Sequence, residues 1–131
     1  MLRVPIAVAA ALAAILPTTA TPAAAAGPAC HVDYRIVADS TGFTSRITIT
    51  NIGDGPLLGW TLKFRLPAGQ SVVSGWNAVF SVAGDEVSAL NAAHNGEVGP
   101  GEAAYPRFRG AGTDRTSKPT AFTVNGLACS A

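Results

Sequence analysis

The sequence predicts an all-β protein, an antiparallel β-sandwich of the jelly-roll or immunoglobulin-like kind with its termini joined by a disulfide, and three observations predict it. Apolar residues recur at every second position from Cys30 onward. Turn residues punctuate these runs, and no segment of the region sustains a helical period. Two cysteines, Cys30 and Cys129, stand at the two ends of that region. Short strands, frequent turns and no helices leave the sandwich as the architecture that buries one face of each strand.

The elements follow in order. Val32, Tyr34 and Ile36 mark the first alternating run, and Ile47 and Ile49 against Arg46, Thr48 and Thr50 mark the next. In WTLKFRLP, Trp60, Leu62, Phe64 and Leu66 share one face while Thr61, Lys63 and Arg65 share the other, the pattern of a half-buried strand. Phe122 and Val124 alternate with Ala121, Thr123 and Asn125 near the end. Between the runs lie NIGDGP at Asn51 to Pro56, PAG at Pro67 to Gly69, AGD at Ala83 to Asp85, NG at Asn95 and GPG at Gly99 to Gly101. The same period separates the two tryptophans. Trp60 is in phase with Leu62 and Phe64 and belongs to the core, whereas Trp76, in VSGWNA, has Ser74 two before it and Ala78 two after it.

Arg3 followed by VPIAVAAALAAIL and PTTATPAAAA has the layout of a secretory signal, with small residues suited to cleavage near Ala26. Its apolar run, Val4 to Leu16, is too short to span a bilayer, and no later segment is long or apolar enough to do so. Residues 1–26 are therefore expected to be removed, and residues 27–131 to form a single exported, soluble domain with one modest core. Lys and Arg number 9 against 8 Asp and Glu, a formal net charge of +1 with no run of like charges. That balance points to neither nucleic acid nor anionic lipid. Export makes a Cys30–Cys129 disulfide the natural reading, and in the chain-entropy model a loop of about 100 residues is worth roughly 4.7 kcal/mol.

Catalysis requires a constellation that the sequence does not supply. Asp54, Asp85 and Glu86 fall in predicted turns, where they do not face one another across a cleft as a glycosidase pair must. The serines lie in no nucleophile-elbow context, and oxidised cysteines are not nucleophiles. His31 and His94 have no metal-ligand spacing, and no calcium-loop pattern of acids occurs. The expectation is a non-catalytic domain without metal or cofactor.

Taken in order, CHVDYRI, TGFTSRITITN, GWTLKFRLPAGQ, WNA, NAAHNG, GPGE and KPTAFTVNGLAC resemble the family 2 carbohydrate-binding modules of secreted bacterial polysaccharide-degrading enzymes. The resemblance runs from Cys30 to Cys129. It implies a β-sandwich whose flat face docks on cellulose, or in some members on chitin or xylan, and it implies no catalysis. Such a face carries exposed aromatics spaced to lie on successive sugar rings. The axial C–H groups of a pyranose are apolar, so an indole plane shields them from water and meets their partial positive charge with its π-cloud.

The platform position that closes a glutamine-led strand maps onto Trp76, with Gln70 opening the strand. The other two platform positions hold Asp39, three residues before Gly42-Phe43, and His94, immediately before Asn95-Gly96. Arg46 stands where the family commonly carries asparagine, and Ser74 where it carries glutamine two before the platform tryptophan. AAYPRFRG places Tyr105, Arg107 and Arg109 on one side, and Pro106 in it, lacking a ladder donor, predicts an edge strand or a bulge. Read together, Trp76, Tyr105, His94, Arg46 and Arg109 form an aromatic and cationic surface suited to a hydrated, anionic or acetamido-bearing glycan more than to a bare cellulose crystal. Two plainer readings stand beside this one: Arg107 and Arg109 as solvated edge charges, and His94 as a turn residue bonded to its own loop.

The expected function is that of a secreted, monomeric polysaccharide-binding module with Trp76 at the centre of its binding face, a role in polysaccharide breakdown following by association. An alternative keeps the scaffold but gives the cationic face a protein or cell-envelope partner.

Overall fold

The computed structural model describes residues 27–131 and positions 2, 3, 5, 13 and 14. Apart from those few positions, the expected signal segment, residues 1–26, lies outside the described residues. In chain order the strands are β1 (Cys30–Ala38), β2 (Phe43–Asn51), β3 (Leu57–Leu58), β4 (Thr61–Arg65), β5 (Gln70–Trp76) and β6 (Ala78–Ala83). They continue with β7 (Glu86–Asn91), β8 (Glu97–Val98), β9 (Ala103–Ala104), β10 (Arg107–Gly112), β11 (Phe122–Val124) and β12 (Leu127–Ala128).

Two antiparallel sheets carry the fold. The first has the order β1-β2-β10-β5, with β9 also pairing β2, and the second the order β12-β11-β4-β7-β6. A short β3–β8 ladder lies beside them. The alternation read from the sequence decides which residues lie between the sheets: Val32, Tyr34, Phe43, Ile47, Ile49 and Phe108 from the first, and Leu62, Phe64, Val87, Ala89, Phe122 and Val124 from the second, are all buried. Full burial of each Val, Leu, Ile or Phe side chain among them contributes about 1.5–3 kcal/mol. Tyr34, Phe64, Phe108 and Phe122 form the aromatic centre, with Tyr34 to Phe122 centroids 5.7 Å apart and Phe64 to Phe108 centroids 6.1 Å apart. Trp60 is 1% exposed, as its phase predicts.

The Cys30–Cys129 disulfide forms, closing a sequence separation of 99 residues. Around it Ser130 donates to the Cys30 carbonyl at 2.9 Å and accepts from the Val32 amide at 2.8 Å, so the two ends are also zipped by backbone bonds. Among the described residues no helix is long and apolar enough to cross a membrane.

The strand holding Pro106 was expected to lie at an edge or to bulge there, and it divides instead. It breaks at that residue into β9 and β10, both on β2; β9 pairs β2 alone, and β10 lies inside the sheet between β2 and β5. An interior place is possible because the ladder uses only what proline has. Pro106 is buried and its carbonyl accepts the Ile47 amide at 3.0 Å, while the missing donor falls in the break.

Candidate functional site

VSGWNA ends β5 and turns the chain from one sheet to the other. Along β5, Val72 packs toward the core and stands opposite Gly110, yet the next pair is Ser74 opposite Arg109, so Val73 is the extra residue of a β-bulge. Strict alternation counted from Val72 would have sent Trp76 inward. After the bulge the parity is reversed: Gly75 faces in, opposite Phe108, and Trp76 faces out, 44% exposed. Gly75 has to be glycine in this packing, because a Cβ there would lie 2.1 Å from the Phe80 ring that covers this end of the core. Asn77 follows with φ 61, a left-handed conformation that asparagine tolerates better than most residues, and β6 begins in the second sheet.

Asn77 also ties the neighbouring loops to Trp76. Its side chain donates to the Tyr105 carbonyl at 3.0 Å, and its own carbonyl accepts the Asn95 side chain at 2.7 Å. The Asn95 carbonyl in turn accepts the buried Trp60 indole N–H at 2.8 Å. The core tryptophan thus anchors the corner that presents the exposed one.

Register brings further side chains to Trp76 on the outward face of the first sheet. Arg107 stands opposite it on β10, with its guanidinium carbon 5.3 Å from the indole centroid, inside cation–π range. Arg46 on β2 stands opposite Arg107, and Arg35 on β1 opposite Arg46. One step along, Ser74 faces Arg109, which faces Thr44. Tyr105, 62% exposed, borders an open cleft of about 470 Å³ that Asn77, Arg46 and Arg107 also line.

The remaining sequence-predicted positions divide. His94 is exposed in the loop between β7 and β8, beside Asn95 and hence next to the Asn77 corner. Asp39 sits past the far end of β1 with both carboxylate oxygens engaged. Oδ1 accepts from the Thr41 amide at 2.9 Å, the Gly42 amide at 3.0 Å and Arg109 Nη2 at 2.8 Å, while Oδ2 takes the other Arg109 nitrogen. The Arg109 guanidinium, followed by the Thr41 amide, holds the Asp39 carboxyl well below the usual carboxylate range, and Arg109 is pushed up in return by Asp39. Arg109 is therefore one half of an ion pair with its charge compensated, and Asp39 the turn that caps the β1–β2 hairpin. Sequence reasoning did not include Asn77, Asn95 or Arg35 among the site residues. An asparagine directly after Trp76, a residue type that tolerates the left-handed conformation, was the available signal for the first.

Among the described residues no group of three or more His, Cys, Asp or Glu side chains gathers to hold a metal ion. The chain resembles known proteins over most of its length. It is 41% identical over 122 residues to exoglucanase B of Cellulomonas fimi, covering 93% of this chain but 11% of that enzyme. The chain thus spans about a tenth of such a glucanase. It is 37% identical over 119 residues to a cellulose/chitin binding protein of Mycobacterium tuberculosis, covering 91% of this chain and 84% of that one. Among solved structures, the chitin-binding domain of Chi18aC from Streptomyces coelicolor superposes with a TM-score of 0.63 at 30% identity, over 77% of this chain and 94% of that domain. The cellulose binding domain family matches residues 30–129, from one disulfide cysteine to the other, and the chain belongs to that family of non-catalytic binding modules.

Proposed function

We propose that the chain is a secreted, monomeric module that attaches to an insoluble β-linked polysaccharide of the cellulose, chitin or xylan class, using the outward face of its first sheet with Trp76 as the stacking surface. The single observation that carries this reading is the exposure of Trp76 on a corner built from a bulge, a glycine and a left-handed asparagine. Leaving a large aromatic in water has a cost that a sugar ring laid on it recovers. The Asn77 and Asn95 bonds tie the segments that carry Tyr105 and His94 to the corner that presents the indole, and Arg46, Ser74 and Arg109 supply polar groups on the same side of the sheet, with Asp39 bonded to Arg109. The names of the mycobacterial and Streptomyces relatives, a cellulose/chitin binding protein and a chitin-binding domain, support the ligand class. The leader-like first residues and the terminal disulfide support export. Action beside a separate polysaccharide-degrading enzyme fits the glucanase relatives.

The test is retention on cellulose, chitin and insoluble xylan powders by the parent and by Trp76→Ala. The parent is expected to bind at least one powder and the folded variant to bind it roughly tenfold less, the equivalent of losing one stacked ring. Equal retention of the two proteins would move the binding face away from Trp76. Retention of the parent by none of the powders would favour a protein or cell-envelope partner.

A further inference from the structure

Three arginines share one register on the face that carries Trp76: Arg35 opposes Arg46, Arg46 opposes Arg107, and Arg107 opposes the indole. Side chains directly opposite on antiparallel strands have Cβ atoms about 4.5–5.5 Å apart, and like charges placed so are destabilising. Arg35 turns to Asp33 at 3.1 Å, and Arg107 lies over Trp76. Among the described residues neither Arg46 nor Arg107 has an acidic side chain within ion-pairing distance, whereas Lys63, Arg65 and Arg109 each have one. Protection of a sheet edge does not account for Arg46 or Arg107, because β2 and β10 are interior strands; Arg35 alone lies on an edge strand, β1. The cleft beside the row is lined by these three guanidiniums against one carboxylate, Asp33, with uncharged residues, Thr48 and Tyr105 among them, making up the rest of its wall.

We infer that the row is a subsite for the carboxylate of an acidic sugar, so that the preferred ligand is a polysaccharide bearing uronate-type carboxylates. Its pyranose lies on Trp76 and its carboxylate between Arg46 and Arg107. This rests on the reading of Trp76 as a stacking surface. A guanidinium offers paired donors in the fork that a carboxylate accepts, and a bound carboxylate relieves the opposition of two cross-strand cations. A neutral acetamido or hydroxyl substituent relieves none of it.

Cellulose powder and the same powder lightly carboxymethylated present one backbone with and without the anion. The parent is expected to bind the carboxymethylated powder roughly tenfold more tightly at low salt, with most of the difference lost on screening by about 0.5 M sodium chloride. Arg46→Gln combined with Arg107→Gln removes the preference. Lys63→Gln combined with Arg65→Gln, which deletes the same charge from the other sheet, keeps it. Equal loss in both double variants would reduce the effect to net charge and overturn the inference. Displacement from the carboxymethylated powder by poly-glutamate as complete as by soluble carboxymethylcellulose would assign the row to an acidic protein and overturn it likewise. Equal, Trp76-dependent binding of the parent to both powders overturns the subsite alone. Binding of the parent that is unaffected by Trp76→Ala overturns the stacking reading with it.

Discussion

Tyr34 and Ser45 share a 2.7 Å hydrogen bond inside the core, and the burial of that phenol makes the fold sensitive to alkali. Burial pushes the Tyr34 phenol from an ordinary value near 10 up to about 12, the bond to Ser45 working the other way. The folded state holds the neutral phenol more firmly than the unfolded chain does. Stability is therefore intact below a pH of about 10 and falls as pH climbs through about 12, by about 2–3 kcal/mol in all. Chemical denaturation repeated across this range should show the decline, and Tyr34→Phe should flatten it while costing about 1 kcal/mol near neutrality, because the buried Ser45 hydroxyl loses its partner. An unchanged alkaline decline in the folded variant would place its source elsewhere. At this scale the sequence was legible for burial and not for pairing. Tyr34 reads as core from its phase with Val32 and Ile36, but the capture of Arg109 by Asp39, seventy positions away, depends on β10 pairing with β2 of the β1–β2 hairpin.

The strand β5 with its bulge is the element that decides whether the protein has a binding face. Gly75→Ala places a methyl group against the Phe80 ring, and either the ring leaves the core or β5 lifts from β10. A cost of about 1–3 kcal/mol is expected in unfolding experiments, together with weaker retention on polysaccharide by the fraction that remains folded. Full stability in Gly75→Ala would show that the corner has slack. The periodic strands, β1, β2, β4 and β11, were readable because each alternates without interruption and buries one face. β5 resists such reading: one unpaired residue at Val73 reverses its parity, and no local signal in VVSGW marks the reversal. The break at Pro106 shows the converse, since the proline was visible and its consequence was a break ahead of the interior β10 where an edge or a bulge was expected.

On the scale of the whole molecule, two sheets, one core and one covalent closure act together. The Cys30–Cys129 bond encloses nearly all of residues 27–131, so its reduction should lower Tm by at least about 10 °C, the thermal equivalent of losing much of the roughly 4.7 kcal/mol that a loop of this size contributes. An unchanged Tm in the fully reduced protein would show that the native packing and the backbone bonds around Ser130 suffice. The same closure governs how an attached module carries mechanical load. Tension applied through residues outside the two cysteines passes directly from one sulfur to the other, and the sandwich between them bears none of it. Drawn out between handles at its two ends, the oxidised protein should yield almost no extension, and the reduced one should release roughly 330 Å or more as its 99-residue span unravels. A module placed within a longer chain would then pass tension along that chain without unfolding.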